Sequence, residues 1–284
     1  MGLPFDGLGH PALIRLFLDG VRERNGGWIV TPNLDILRQF TRCPDSRRLI
    51  LAATHRVADG QPIVWASRLA GRPLPGRVPG SDLVVSLPEA AARAGLSVFL
   101  LGGNPGVAAA AAARLEARCP GLERVGSYCP PYGFEDDPRE LAKIRNALKS
   151  AGPALVLVGL GFPKQERLIH LLRSEMSETW FVGVGISLSF LAGDQPRAPA
   201  AFQRIGLEWL HRLAHEPRRL FWRYVAHGLP FGLRLLAWAV IKRLFGHQRA
   251  LAEGGSAANV NGRPEHGSGT GARSDSAVDP PLAA

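Results

Sequence analysis

The chain is 284 residues long, 46% apolar and 20% charged, with 34 Lys and Arg against 24 Asp and Glu for a formal charge of +10. That apolar content excludes overall disorder, and the length suits one large α/β domain with an appendage or two modest domains. The basic balance calls for an acidic partner such as nucleic acid, anionic lipid or a phosphate-rich substrate, while three unpatterned cysteines argue against a disulfide scaffold or a zinc cluster.

In chain order, the opening MGLPFD has no basic region running into an apolar one, so no signal peptide is expected, and Asp6 breaks the myristoylation pattern. Short apolar runs follow at 28–30, 49–53, 98–101, 155–158 and 180–184, each read as a strand buried on both faces. Between them lie longer Ala-, Leu- and Arg-rich runs that include 87–94, 106–118, 138–150 and 164–173, read as helices. The alternation predicts an α/β fold over residues 1–195: a Rossmann-like, mostly parallel sheet with helices on both faces.

Past residue 195 the texture changes. Residues 197–249 hold ten Lys and Arg against only Glu208 and Glu216, interleaved with Trp209, Trp222, Trp238, Phe221, Tyr224, Phe231 and Phe245. Phe202, Ile205, Trp209 and Leu213 fall at helical spacing, and Pro217 and Pro230 are each expected to restart the chain. Residues 196–250 are therefore a basic, aromatic-rich helical C-terminal appendage. Residues 251–284 are rich in Gly, Ala, Ser, Pro and Asn and are expected to be a disordered tail. No stretch reaches the ~18 uncharged apolar residues of a spanning helix.

Parallel sheets place ligands at their strand ends, so the loops there are the first candidates for chemistry. Gly102-Gly103-Asn104-Pro105-Gly106 precedes an Ala-rich helix; it suits either backbone contact with a phosphate or a tight turn without a ligand. In the run from Gly159 through Gly161 to Lys164, lysine stands where a dinucleotide fingerprint needs its third glycine, which weakens any NAD or FAD reading. Lys164 at a helix start opposes the helix dipole, a conflict that favours an anionic ligand. Asp59, beside Gly60, is either a turn residue or a general base whose pKa burial raises. Thr31 and Asn33 are either pocket polar groups or caps of the next helix. Asp136-Asp137 before Pro138 reads as a helix cap rather than a metal site.

Eight motifs then come in a familiar order. They are Thr31-Pro32-Asn33, Ala58-Asp59-Gly60, the run 74–82, Leu101-Gly102-Gly103, Pro130-Pro131-Tyr132-Gly133-Phe134, the run 159–166, Phe190-Leu191-Ala192-Gly193 with Arg197-Ala198-Pro199, and Gly206-Leu207-Glu208-Trp209 with Glu216-Pro217-Arg218-Arg219. Together, over roughly residues 10–226, the chain resembles the WecG/TagA/CpsF glycosyltransferases (glycosyltransferase family 26).

The resemblance implies an inverting, metal-independent transferase without a cofactor. It would move a sugar (N-acetylmannosamine, its uronic acid, glucose or glucuronic acid) from a UDP-sugar to a polyprenyl-diphosphate-linked glycan, for exopolysaccharide or another cell-envelope polymer. By motif position Asp59 is the implied base and Thr31 and Asn33 the polar pair of its pocket. Gly102, Gly103, Tyr132, Gly161, Lys164, Gln165 and Glu166 line the implied substrate site. Arg197, Arg212, Arg218 and Arg219 belong to an appendage that closes the site and touches the membrane. One departure is Ser189, where many members carry Asp shortly before the Phe-Leu-Ala-Gly run; it bears on donor contacts.

Without a convincing acidic metal pair, arginines, Lys164 and helix N-termini must meet the departing diphosphate. Arg218, Arg219 and Arg223 either make that contact or form a solvated face near anionic lipid, and Trp222, Phe231 and Trp238 either enter a lipid interface or pack onto the core domain. The implied location is cytoplasmic, peripheral on the inner face of the bacterial membrane and against its anionic surface. No nucleic-acid partner is implied, and a homo-oligomer is left open. Two other classes remain at this point: a Rossmann-like nucleotide-cofactor oxidoreductase and a non-enzymatic basic nucleic-acid-binding protein.

Overall fold

The computed structural model describes residues 2–204, 206 and 208–257, with side chains up to residue 245 except at 200, 204 and 219. Six parallel strands form one sheet: β1 (Gly27–Val30), β2 (His55–Arg56), β3 (Val98–Gly102), β4 (Val125–Tyr128), β5 (Leu155–Gly159) and β6 (Trp180–Gly183). Their order is β2-β1-β6-β5-β3-β4. The α/β expectation of a parallel sheet wrapped by helices holds.

Alternation within the strands builds two cores. Trp28, Val30, Phe99, Leu101, Val156, Val158 and Phe181 point to one face of the sheet. Ile29, Val98, Leu100, Leu155, Leu157, Trp180 and Val182 point to the other. Both faces are covered, which is why these strands read as unbroken apolar runs.

The first core is covered by α2 (Leu34–Arg42), α3 (Pro44–Ala52), α4 (Gln61–Leu69), α7 (Pro138–Ala151) and α8 (Lys164–Leu172). The second is covered by α1 (His10–Arg22), α5 (Gly80–Arg93), α6 (Val107–Arg118) and α9 (Ser187–Ala192).

Two strand expectations need correction. The apolar run 49–53 closes helix α3 instead of forming a strand. Pro44 in the first turn, with Asp45 beside it, starts a helix, and Ser46, Leu49 and Ile50 are buried at helical spacing. Strand β4 escaped notice because it lies at the sheet edge. Val125-Gly126-Ser127-Tyr128 is only partly covered, so it never needed an apolar run.

The C-terminal segment continues as α10 (Ala200–Arg204), α11 (Glu208–His215), α12 (Pro217–Phe221), a π-helical stretch Trp222–Gly228 and α13 (Leu229–Ala257). Phe202 and Trp209, expected on one helix, lie on two, with Gly206 between them at φ +76°. Pro217 opens a helix as expected, but Pro230 does not restart the chain. The N–H of Leu229 bonds the Tyr224 carbonyl five residues back, and this wider turn absorbs the proline that follows.

The chain divides into two compact units, Met1–Arg243 and Leu244–Ala284. Within the first, Phe231, Leu235 and Ala239 are buried in the same core as α2 and α4. Helix α13 runs on to Ala257, through the first seven residues of the stretch 251–284 expected to be a disordered tail; the rest of that stretch, 258–284, lies outside the described residues. The helical span Trp222–Phe245 is long and apolar enough to cross a membrane by length and composition alone, although Arg234 interrupts it.

Candidate active site

The carboxyl ends of β1 and β2 bring Thr31, Asn33 and Asp59 together. The Asp59 N–H donates to the Pro32 carbonyl at 3.1 Å, tying the two strand ends to each other. A Cβ added to Gly60 would lie 3.8 Å from the Asn33 Cα. Thr31 is buried, and a Cβ on Gly80, the first residue of α5, would sit 3.6 Å from its hydroxyl oxygen and 3.4 Å from the Val184 Cα. The start of α5 therefore meets the ends of β1 and β6 at the threonine.

Asn33 is a cap as well as a pocket residue. Its side-chain oxygen accepts from the Asp35 and Ile36 N–H groups, both at 3.1 Å, so its NH2 is the group left to offer a ligand.

Asp59 stands in a charged cluster that no single motif revealed. Burial drives its carboxyl well above the usual range; Glu208 and Asp82 push it further, while Arg77 and Arg212 pull it back. Arg77 reaches this position because the Val78 N–H donates to the Ala58 carbonyl at 2.7 Å. Its guanidinium then bridges to the C-terminal segment, pairing with Glu208 at 2.9 Å and donating to the Gln203 carbonyl. Arg197 makes a parallel bridge, donating to Ser81 at 3.0 Å and pairing with Asp82. Arg77, Asp82 and Glu208 fall inside runs whose motif order flagged them, but their charges alone assigned them no role.

The other half of the sheet edge is glycine-built. Gly102 (φ +102°) and Gly103 (φ +82°) form the lip of β3, and a Cβ on Gly102 would meet Leu160 at 2.8 Å. The Gly103 N–H is taken by the Gly159 carbonyl at 2.9 Å, which sews the ends of β3 and β5 together. Gly161 has φ +77° and open space where a Cβ would go.

Gln165 and Glu166, expected to line the substrate site, are both buried and hold neighbouring loops. Gln165 is 4% exposed and Glu166 0%. The Gln165 oxygen accepts from the Gly161 and Gly185 N–H groups, each at 3.1 Å, and so couples the loops after β5 and β6. Its NH2 donates to Glu166 at 2.9 Å. The other Glu166 oxygen is buried without a hydrogen-bond partner, and burial pushes this carboxyl up to about 7. A carboxyl sealed in this way presents no atom to a substrate.

At the rim, Lys164 pairs with Glu135, so an anion must compete with a carboxylate already in place. Tyr132 stands 89% exposed nearby in sequence. Asp137 caps α7 as expected, accepting the Arg139 N–H at 2.8 Å. Among the described residues no three His, Cys, Asp or Glu side chains gather as a metal-holding group.

The appendage arginines divide. Arg212 acts on Asp59 and lines a small cavity of about 170 Å³ with His211 and His215. Arg218 is exposed, and the Arg219 side chain lies outside the described part. Arg223, expected near a diphosphate, is instead paired with Asp35 at 3.1 Å. Of the two readings of the aromatics, Phe231 takes core packing at 6% exposed, and Trp238 packs against the same core; Trp222 is 66% exposed.

With this geometry in hand, comparison with known proteins is specific. A family model described as "Glycosyl transferase WecG/TagA/CpsF family" matches residues 1–244. The chain is similar to the N-acetylglucosaminyldiphosphoundecaprenol N-acetyl-beta-D-mannosaminyltransferase of Bacillus spizizenii, 32% identical over 244 residues, covering 86% of this chain and 88% of that one. It is also similar to the protein of the same name from Staphylococcus aureus (strain MW2), 34% identical over 199 residues, covering 70% of this chain and 76% of that one.

Proposed function

The chain belongs to the WecG/TagA/CpsF family and is a glycosyltransferase, and from that premise we propose an inverting, metal-independent transfer of N-acetylmannosamine from its UDP derivative to a polyprenyl-diphosphate-linked N-acetylglucosamine. The oxidoreductase and nucleic-acid readings give way to the family. The choice of sugar and acceptor follows the names of the two relatives. The β-product in those names fits a single displacement on an α-linked nucleotide sugar.

The observation that carries the mechanism is the raised carboxyl of Asp59 within a cluster of arginines at the strand ends. In the step, the acceptor hydroxyl oxygen attacks the anomeric carbon while its proton passes to the Asp59 carboxylate. The bond to the UDP oxygen breaks on the opposite face, and the diphosphate leaves with the electron pair. A base with a raised pKa holds that proton more firmly than an ordinary aspartate does. Arg77 and Arg212 supply positive charge near the base, and the Asn33 NH2 and Thr31 hydroxyl orient the reacting groups. Strands about 4.8 Å apart separate β1 from β5 by about 10 Å, room for a nucleotide sugar laid along the edge. The glycines after β3 and β5 let backbone approach its phosphates.

We place the reaction at the cytoplasmic membrane face, where a polyprenyl acceptor resides. Exposed Trp222, Leu229, Leu233, Val240 and Ile241, on a segment rich in arginine and lysine, support that location.

The test is a donor panel with EDTA present. Protein is incubated with several UDP-sugars and a short polyprenyl-diphosphate-N-acetylglucosamine, and free UDP is followed. Acceptor-dependent UDP release from UDP-N-acetylmannosamine, indifferent to EDTA, is expected. Release from another donor alone would replace the sugar, and loss with EDTA would remove the metal-independent mechanism.

A further inference from the structure

On the same half of the molecule as α2, but away from Asp59, a cavity of about 510 Å³ opens between the end of α2, α3 and α13. Phe40, Leu51 and Phe231 give it apolar walls, and Arg42, Arg47 and Arg234 bring three guanidiniums to it. The neighbouring Arg38 and Arg48 are engaged by Asp35 and Asp45. Among the described residues no carboxylate pairs with Arg42, Arg47 or Arg234. Arg47 is also held in place: its Nε donates to the Phe40 carbonyl at 3.3 Å, and its guanidinium lies 5.4 Å over the Phe40 ring. A fixed guanidinium loses less freedom on binding than a mobile one.

The helix that closes the cavity is apolar on two opposite faces. Phe231, Leu235 and Ala239 are buried in the core, whereas Leu229, Leu233 and Val240, at spacings of four and seven, are all exposed. Arg234 sits between these faces. We propose that the cavity holds the phosphate headgroup of an anionic membrane phospholipid, with its acyl chains along the outer Leu229–Leu233–Val240 stripe.

Charge complementarity argues for an anion, and the apolar walls and stripe argue for an amphiphile rather than a free ion. The acceptor diphosphate is a poor fit. The cavity lies at the far end of α2 from Asn33, nine residues and about 13 Å away, whereas the acceptor's diphosphate must lie one sugar ring from the base. The site depends on the proposed function only in that both put the chain at a membrane.

The test uses the full chain and vesicles of phosphatidylcholine, with or without phosphatidylglycerol, at physiological salt. The triple variant Arg42→Gln/Arg47→Gln/Arg234→Gln is compared with a control that removes the same charge at exposed positions elsewhere, Arg68→Gln/Arg72→Gln/Arg93→Gln. The cavity triple should weaken partition onto the phosphatidylglycerol vesicles about 100-fold, and the control much less. Short-chain phosphatidylglycerol below its micelle concentration should raise the Tm of the wild type and leave that of the cavity triple unchanged. Equal losses in the two triples, or no Tm response to the short-chain lipid, would overturn the site. Stabilisation by inorganic phosphate as large as by the lipid would overturn the lipid assignment.

If the triple does not fold, Arg234→Gln alone carries the same comparison at about fivefold. UDP release with a water-soluble acceptor is followed in parallel. Equal losses in cavity variant and control, with turnover of the wild type intact, sink this site and spare the transferase mechanism; a loss confined to the cavity variant, with no turnover of the wild type, sinks the mechanism and spares the site.

Discussion

Asp59 and Glu166 lie along one edge of the sheet, Asp59 beyond the outer strand β2 and Glu166 against the central pair β5 and β6; each has a carboxyl raised by burial, and their surroundings differ in kind. Asp59 is enclosed by charge: Glu208 and Asp82 raise it further, and Arg77 and Arg212 lower it. Glu166 faces no charged group that moves it; only hydrogen bonds, from Gln165 and from backbone, oppose its burial. A group tuned by several charges is one whose proton affinity a ligand can reset on arrival. A group sealed beneath a glutamine that binds two loop amides is part of the scaffold. Under the proposed function, this difference puts the chemistry on the β1–β2 side and accommodation of the substrate on the β5–β6 side.

The sharpest way to break that division is Asp59→Asn. Turnover should fall about 10²- to 10⁴-fold, the range for a general base, while UDP binding changes only a few-fold. Unchanged turnover would remove Asp59 from the reaction and leave the charged side without a function.

Arg77→Ala should cost about tenfold to a hundredfold in kcat/KM, since the guanidinium serves Glu208 and the Gln203 carbonyl together. Lysine should rescue it poorly because one ammonium lacks the fork. Arg77 also lowers the Asp59 pKa, so its removal should move the acid limb of the pH–rate profile to higher pH. A limb that stays in place would mean Arg77 only holds the C-terminal segment.

The two sides were unequally legible in the sequence. Strands β1, β3, β5 and β6 were visible because each is covered on both faces and must be apolar throughout. Strand β4, at the edge, and β2, two residues long, left no such mark. Thr31, Asn33 and Asp59 stood out as polar residues directly after apolar runs. Arg77, Asp82 and Glu208 did not, because their meaning lies in approaches across 115 to 131 residues of chain. Gln165 and Glu166 were legible by motif, but their burial was not: a motif gives residue identity, and only packing tells whether a carboxyl faces solvent or the back of a strand. Phe231 could be read either way for the same reason, since a helix with two apolar faces does not declare which one meets the core.

Glu166→Gln probes the scaffold side. The folded pKa of about 7 lies above the 4.5 of the free side chain, so the folded state holds its proton longer than the unfolded one. Native stability should therefore fall as pH rises from 4.5 to about 7 and then level off, by up to about 3 kcal/mol. Glutamine keeps the shape and removes the titration. At pH 5 the variant should melt close to the wild type, and at pH 8 it should melt several degrees higher. A variant less stable than the wild type at pH 8 would show that ionised Glu166 is stabilised by contacts the glutamine cannot replace.

The smallest expected effect is also the finest discrimination between the two sides. Glu208 raises the Asp59 pKa, so Glu208→Gln should move the acid limb of kcat/KM to lower pH, opposite in sign to Arg77→Ala. Glutamine can still accept from Arg77, so the C-terminal segment keeps its tether and kcat at the plateau should change little. Because the base must be ionised to take the acceptor's proton, a lower pKa widens the active range on the acid side and weakens the base within it. The same substitution should leave the pH dependence of melting assigned to Glu166 untouched, since Glu208 is not among the groups that move it. Opposite limb shifts from Arg77 and Glu208, with the melting profile unmoved, are what a charge-tuned base and a sealed scaffold acid require. Shifts of the same sign would mean that both substitutions act by loosening the C-terminal segment, not through charge.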